Sequence, residues 1–520
     1  TLNLGLRYDI DLPRTERFDR LSYFGLYETS PLQGKVPAAA CASCGRLMGA
    51  MHFVDRNNRR QTPSDSNNFG PRVGFSWRAA GNLVIRGGYG ISYIASAIQA
   101  AGGTGHIGME GFRSITNFLG TTDNMRTVNA YLRNPFPAGY NLPTGRALGA
   151  ATNIGMSVSE SLFDGYRTPY AQQWNLNLQR PLPGNMVFEI GYLGNRGIAL
   201  VDGDGGQAYN QLPASFMALG ADLIRTVPNP FYGLITNPTS TLNRETVQYG
   251  QTLRPYPHYG NVSSLRKPIG NSIYHAMTFR ADKRFSRGLG LLLSYTAGKL
   301  IDDCSSAVLN LGPVAGTRLD AYNRRLERAV SSMDVAQRMV ISYIYELPVG
   351  KGRRFLAAAP RGINLLISGW QINGITTFQS GTPLIIGASQ NNTGIFTLSQ
   401  RPNNNGQSAK LTGGTTDQRL ARWFDTSVFS QPPTYTFGTT GRTLPDARLP
   451  GRNSTDLSVF KNTYLRPDRR LNLQYRLEMF SAFNTPQFNG PGTTVDTPAF
   501  GVISGGGGAR QIQMALKLIW

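Results

Sequence analysis

The chain has no run of about 18 apolar residues, so none of its 520 residues form a transmembrane helix. It is short of charge. Only 16% of residues are Asp, Glu, Lys or Arg, where a soluble chain carries about 25%. Apolar residues are also sparse, at 40%. These two deficits, beside 60 Gly and many aromatics, are not the profile of a helical enzyme. Charge-driven disorder is excluded by 23 Tyr and 25 Phe, a residue class that disordered tracts lack. What is left is an all-β chain, either a soluble sandwich with long loops or an outer-membrane protein whose alternating strands escape hydropathy scans.

Acidic residues are scarce, 30 against 52 basic ones, for a net charge of +22. Lysine is scarcer still, with eight positions (35, 267, 283, 299, 351, 410, 461 and 517), so the excess is mostly Arg. A basic chain first suggests nucleic acid. Here the Arg residues are scattered through β-like segments with no basic run of five, and no nucleic-acid motif is present. No nucleic-acid partner is expected. Dispersed Arg suits lipopolysaccharide phosphates or an anionic ligand, because guanidinium forks onto such oxygens.

Reactive chemistry is thin. There are three cysteines and four histidines (52, 106, 258 and 275), the histidines without ligand spacing. Cys41 and Cys44 form CASC with no second CxxC, which leaves too few ligands for zinc. In an oxidising surface loop they are expected to bond to each other. Asp302-Asp303 lacks the oxygen set calcium needs and is expected to be a solvated strand end. The glycine runs at 87–90 and 504–508 lack the Lys-Ser/Thr and helix of a phosphate loop. They suit bending or close approach in a barrel wall. No Ser-His-Asp set, carboxylate pair or HExxH motif is present, so no enzyme activity, metal or cofactor is expected. The first residues, TLNLGLRYDI, carry no initiating Met and no signal peptide, and read as the middle of a strand. A fragment of a longer protein is expected.

Period two runs through the chain. In QIQMALKLIW, Ile512, Met514, Leu516, Leu518 and Trp520 share one face, opposite Gln511, Gln513, Ala515 and Lys517. LNLQYRLEM, WNLNLQR and LNLGLRYDI alternate in the same way. This pattern predicts twelve strands, near 1–10, 69–79, 82–94, 171–181, 185–197, 272–285, 288–301, 334–348, 362–379, 454–465, 469–483 and 508–520. Short turns fall around Ala80-Gly81, Pro183-Gly184, Ser286-Arg287 and Pro467-Asp468, and a longer one runs from Val349 to Arg361. The other six connections are long, and short and long alternate throughout. Compact soluble domains rarely hold even one structureless loop beyond about 15 residues. Transmembrane barrels have this asymmetry, with short periplasmic turns and long external loops. The fold class expected is all-β, an antiparallel transmembrane β-barrel occupying residues 1–520. Trp77, Tyr93, Trp174, Tyr192, Trp370, Phe378 and Trp520 would form its aromatic girdles.

Several stretches go beyond generic β: NNFGPRVGFSW, IRGGYGISY, YAQQWNLNLQR, FEIGYLGNRG, RADKRFSRGLGLLLSYTAGKLIDD, AQRMVISYIYELPVGKGRRF, SGWQINGITTFQSGTPL, WFDTSVFS and RLEMFSAFNTPQFN. In this order they resemble the C-terminal barrel of TonB-dependent receptors, and within these the Oar-like group. The resemblance runs from Thr1 to Trp520. It implies an outer-membrane active transporter in which a 22-stranded barrel encloses a plug and couples to the TonB energy system. The sequence departs from that pattern in having no plug, no TonB-contacting segment, no N-terminal regulatory domain and only twelve strands. The expected function is therefore the barrel portion of a receptor that takes up a large solute (a metal chelate, oligosaccharide or peptide). The alternative is a passive porin or surface adhesin on a twelve-stranded barrel.

Capture from outside would use the long loops, of which 95–170, 198–271 and 380–453 are the largest. Each mixes aromatic and Arg side chains, suited to rings and to anionic oxygens. The candidate contacts are Phe112, Arg113 and Tyr131; Arg254, Tyr256 and Tyr259; and Arg422, Trp423 and Tyr435. Expected partners are outer-membrane lipid and lipopolysaccharide, the TonB system, and the barrel-insertion machinery. The last strand, ending in Trp520, resembles the signal that this machinery reads.

Overall fold

The computed structural model describes residues 1–94, 108–114, 116, 128, 131–137, 139–158, 167–201, 207–237, 239–264, 267–304, 318–465 and 471–520. Twelve strands form one antiparallel sheet: β1 (Leu2–Asp11), β2 (Asp65–Arg78), β3 (Val84–Tyr93), β4 (Tyr170–Leu182), β5 (Met186–Val201), β6 (Pro268–Ser286), β7 (Leu289–Asp302), β8 (Gln337–Glu346), β9 (Trp370–Gln379), β10 (Arg452–Tyr464), β11 (Asn472–Phe480) and β12 (Gln511–Ile519). Every strand pairs with its chain neighbours, so the sheet is a meander. Among the described residues it does not close: β1 pairs there only with β2, and β12 only with β11.

The register shows why these sequences alternate. Residues directly opposite each other share a face. Trp77, Ile85, Leu178, Ile190, Phe279, Tyr295, Met339 and Phe378 follow one another across β2 to β9. One register step away, Ser76, Arg86, Asn177, Gly191, Thr278, Thr296, Arg338, Gln379 and Arg452 make an equally continuous row on the other face. The sheet thus has an apolar side and a polar side. On the apolar side glycine lets aromatic rings lie across the neighbouring strand. A Cβ at Gly87 would stand 2.5 Å from the Phe75 ring.

The short turns gather at one end of the meander. Arg287 and Gly288 both take positive φ (52° and 80°), the two-residue turn that matches strand twist. Gly81-Asn82 and Gly184-Asn185 also lie at positive φ. The turn expected at Pro467-Asp468 lies outside the described residues. The strand expected over 362–379 is corrected. Arg361–Ile367 is an α-helix, and the strand begins at Trp370. Pro360 stands before the helix, and Gly369 (φ 76°) ends it, as glycine does just past a helix C-terminus.

The long loops fold into a packed layer at the opposite end. Strands Ser22–Thr29 and Met48–Phe53 pair there. Phe24, Met51, Val158, Tyr259 and Val262 bury together, and Leu32, Leu47, Phe231 and Ile235 form an adjoining cluster. A further core joins Leu384, Phe424, Phe429, Leu444 and Val495 from the later loops. The buried apolar residues therefore sit mostly in the loops, while the sheet leaves much of its apolar face exposed.

Candidate functional site

Of the nine candidate contacts, the trio Arg254, Tyr256 and Tyr259 is placed inside the loop layer. Arg254 is 3% exposed. Its Nε donates to the Asn210 carbonyl at 2.6 Å, Nη1 to Gln251 Oε1 at 3.0 Å and Nη2 to Asn261 Oδ1 at 3.0 Å. The guanidinium also covers the Phe396 ring at 4.2 Å. Desolvation lowers its pKa to about 9. Tyr256 and Tyr259 meet Phe24 edge-on at 5.5 and 5.1 Å. All three lie in packing between loops: the Arg254 donors are taken, the Tyr256 hydroxyl donates to the Leu26 carbonyl at 3.2 Å, and both tyrosine rings are buried. The adjacent His258 is fully buried, shares a 2.9 Å hydrogen bond with Ser30 Oγ, and is pushed by burial down to about 3.

The other candidates lie at several different places in the loops. Phe112 packs edge-on against Phe53 at 5.9 Å, and Arg113 is exposed. Tyr131 is exposed beneath the Arg133 guanidinium at 5.5 Å. Tyr435 packs against Leu212, Leu223 and Ile395. Arg422 pairs with Asp425 at the surface. Trp423 is half-buried, donates from Nε1 to the Arg448 carbonyl at 2.7 Å, and carries the Arg419 guanidinium at 4.6 Å over its ring. Arg419 and Trp423 line a cleft of about 310 Å³ with Thr416, Pro450, Asn453 and Phe488, where the loop layer meets the start of β10. Of the nine, only Trp423 lines a described cavity. That cleft offers an indole, a cation and hydroxyl groups but no carboxylate, so it suits a ring bearing hydroxyl or anionic groups.

Sequence reading missed the ionic suture beneath these loops. Asp302, expected to be solvated, is buried against Arg442, which also donates to the Glu327 carbonyl at 2.7 Å. Glu327 pairs with Arg401, Asp334 with Arg448 at 2.7 Å, and Asp303 with Arg324 at 3.0 Å. Burial removes water from these carboxylates, and each then needs a fixed cation. The partners stand up to 140 residues apart, so no local spacing could signal them. Cys41 and Cys44 are bonded to each other, and Cys304 is free and buried. Among the described residues no cluster of three His, Cys, Asp or Glu could hold a metal. Trp520 is exposed at the end of β12.

A sheet with one apolar face, short turns at one end and a folded loop layer at the other defines a membrane-barrel wall. The chain matches the outer membrane beta barrel domain over residues 1–513 and belongs to that family. It is an outer-membrane protein of the Gram-negative type. No curated protein matches it. Among solved structures it is similar to the outer membrane transporter YddB from Escherichia coli, with 8% identity over 90% of this chain and 42% of that one, at a TM-score of 0.38. It is also similar to FpvA from P. aeruginosa in its pyoverdine–iron complexes, with 8% identity over 90% and 34% and a TM-score of 0.35. The FrpB iron transporter from Neisseria meningitidis shares 11% identity over 90% and 41%, with a TM-score of 0.34. The chain spans about two fifths or less of the length of these proteins.

Proposed function

We propose that the chain is the barrel portion of a TonB-dependent outer-membrane receptor of the Oar-like kind, taking up a large solute captured at the loop layer. On this reading the twelve strands belong to a wider barrel. The outer edges of β1 and β12 then meet further strands, because unpaired N–H and C=O groups in lipid each cost several kcal/mol.

One observation carries the reading against a passive porin. The interior face of a water-filled pore should be polar throughout. Here the polar face breaks near the short-turn end. Leu292 and Ile375 flank Ser342 in register, and Ile344 follows two residues along β8. All three are exposed, Ile375 by 51%. An aliphatic patch on the lumen side suits a barrel whose interior is occupied by a folded plug. The ordered motifs that resemble the receptor family support the same reading. An adhesin is less favoured, because the polar row from Ser76 to Arg452 runs down the wall, where only a solute or plug would meet it.

The test is uptake in cells carrying the full-length protein, with iron chelates, oligosaccharides and peptides as probes. The expected result is uptake of one class that stops when the proton gradient is collapsed or TonB is deleted. Gradient-independent permeation by several classes would instead establish a porin.

A further inference from the structure

The turn between β8 and β9 is unlike the other short turns. It runs from Leu347 to Gly369, where its counterparts need only a few residues. It carries Lys351, Arg353, Arg354 and Arg361 and no acidic residue. Its apolar side chains are outside rather than in: Phe355, Leu356, Ile363 and Leu366 are all exposed, Leu366 by 72%.

The segment is nevertheless folded. Gly350 donates to the Phe355 carbonyl at 2.9 Å, and Phe355 to the Pro348 carbonyl at 3.0 Å. Asn364, inside the helix Arg361–Ile367, accepts from the Lys351 N–H at 2.6 Å. A Cβ on Gly350 would stand 2.6 Å from Ser368 Cβ, so the loop is pressed against the helix end. A built element with its hydrophobes outward needs something to cover them.

Its position identifies the cover. Trp370 donates from Nε1 to the Leu366 carbonyl at 2.8 Å, and Lys461 Nζ donates to the Ser368 carbonyl at 2.7 Å. Trp370 and Lys461 are register partners, followed by Tyr475 and the exposed Leu516 on the apolar face of the sheet. The helix is thus tied to the lipid-facing wall, at the short-turn rim, which in such barrels is periplasmic.

We propose that Leu347–Gly369 is a membrane-surface element lying in the headgroup region of the periplasmic phospholipid leaflet, with its apolar side chains at the acyl boundary and its cations on anionic lipid phosphates. Interfacial helices combine these two contacts, and basic residues near an anionic leaflet strengthen them. Arg353 pairs with Glu346 at 3.3 Å at an exposed position, a weak contact that lipid phosphate can replace. The proposal rests on membrane placement and not on the transport reading.

The test uses the full-length protein in phosphatidylcholine vesicles with and without phosphatidylglycerol. Within this chain Cys304 is buried and Cys41 and Cys44 are bonded, so with any exposed cysteine outside the chain changed to Ser, Leu366→Cys provides one exposed thiol for an environment-sensitive fluorophore. Leu142→Cys, on a long loop, is the aqueous reference. Heat-modifiable migration checks folding, and Ile363→Cys substitutes if Leu366→Cys fails. The expected result is a blue-shifted 366 label, quenched by lipids brominated high on the chain and protected from iodide, with the 142 label showing the reverse. Changing Lys351, Arg353, Arg354 and Arg361 to Gln should remove the extra lipid quenching that phosphatidylglycerol adds. A 366 label as open to iodide as the 142 label overturns the proposal. So does a label shielded from both quenchers, which would mean that protein covers the helix, and so does an unchanged phosphatidylglycerol effect in the Gln variant.

Discussion

Removing Arg401 should separate a pair of loops that the structure fastens together. Arg401, from loop 380–451, pairs with Glu327, from loop 303–336, and the two side chains are 7% and 3% exposed. Arg401 Nη1 also donates to the Leu326 carbonyl at 3.1 Å, and Glu327 Oε1 accepts from the Leu319 N–H at 3.0 Å. Arg401→Met leaves an ionised carboxylate buried without its counter-charge. Breaking a buried pair from one side costs about 3–5 kcal/mol. At ~1.4 kcal/mol per factor of ten, the population with separated loops rises roughly a hundredfold to several thousandfold. Adding Glu327→Gln removes the stranded charge and keeps an amide oxygen for the Leu319 N–H. The double variant should therefore recover most of the loss. Amide hydrogen exchange at Leu319 and Ser331 in the folded full-length protein reads these populations directly. Raising salt from about 0.05 to 0.5 M should change little, because buried pairs are poorly screened. Two results would refute the reasoning. One is exchange in Arg401→Met within about threefold of the parent, the scale of an exposed pair. The other is a double variant no better than the single one.

Three further outcomes are expected. The His258 imidazole, held down to about 3 by burial, favours the neutral ring in the folded state. Loop-layer stability is then full above pH ~6.5 and falls as pH drops toward 3, by about 1.4 kcal/mol per unit, or about 2 kcal/mol at pH 5. Protease nicking of loop 12–64 against pH measures this, and His258→Gln should flatten the slope. Replacing both Cys41 and Cys44 with Ser should cost about 2 kcal/mol, the chain-entropy value for so short a loop, read as faster exchange around Leu47. Deleting 511–520 should abolish outer-membrane accumulation, whereas deleting 139–148 should not. Equal loss would remove any special role for the last strand in recognition by the insertion machinery.

The strands were legible because a membrane wall imposes one rule on every residue. Each second side chain meets lipid, so the period survives without knowledge of the partner strand. The loop layer obeys no such rule. Arg254, Tyr256 and Tyr259 resemble ligand contacts in sequence because Arg beside aromatics suits a ligand, yet the same composition builds the buried Arg254–Phe396 and Phe24–Tyr259 contacts. Asp302 read as solvated because Arg442, its partner, is far along the chain. The helix at Arg361–Ile367 had its punctuation in the sequence, Pro360 before it and Gly369 after it. Its seven residues were too few for helical period to outweigh the adjoining strand pattern.

The positive charge of the chain is unevenly committed, and this bears on where an anionic solute would be held. In the loop layer Arg401, Arg442, Arg448, Arg324 and Arg422 each face a carboxylate, and Arg254 is filled by amide and carbonyl oxygens. Of these, Arg254, Arg401 and Arg442 are buried in their contacts and are not presented to a ligand. On the polar face of the sheet, Arg86, Arg338 and Arg452 stand in one register row with Asn177, Thr278, Thr296 and Gln379. Among the described residues none of these three is in an ion pair. Free guanidiniums along a low-dielectric wall focus field more strongly than the same charges at an open surface. On the transport reading, the rings of the loop layer, Trp423 foremost, would select a solute by shape, and the interior row would supply its counter-charge.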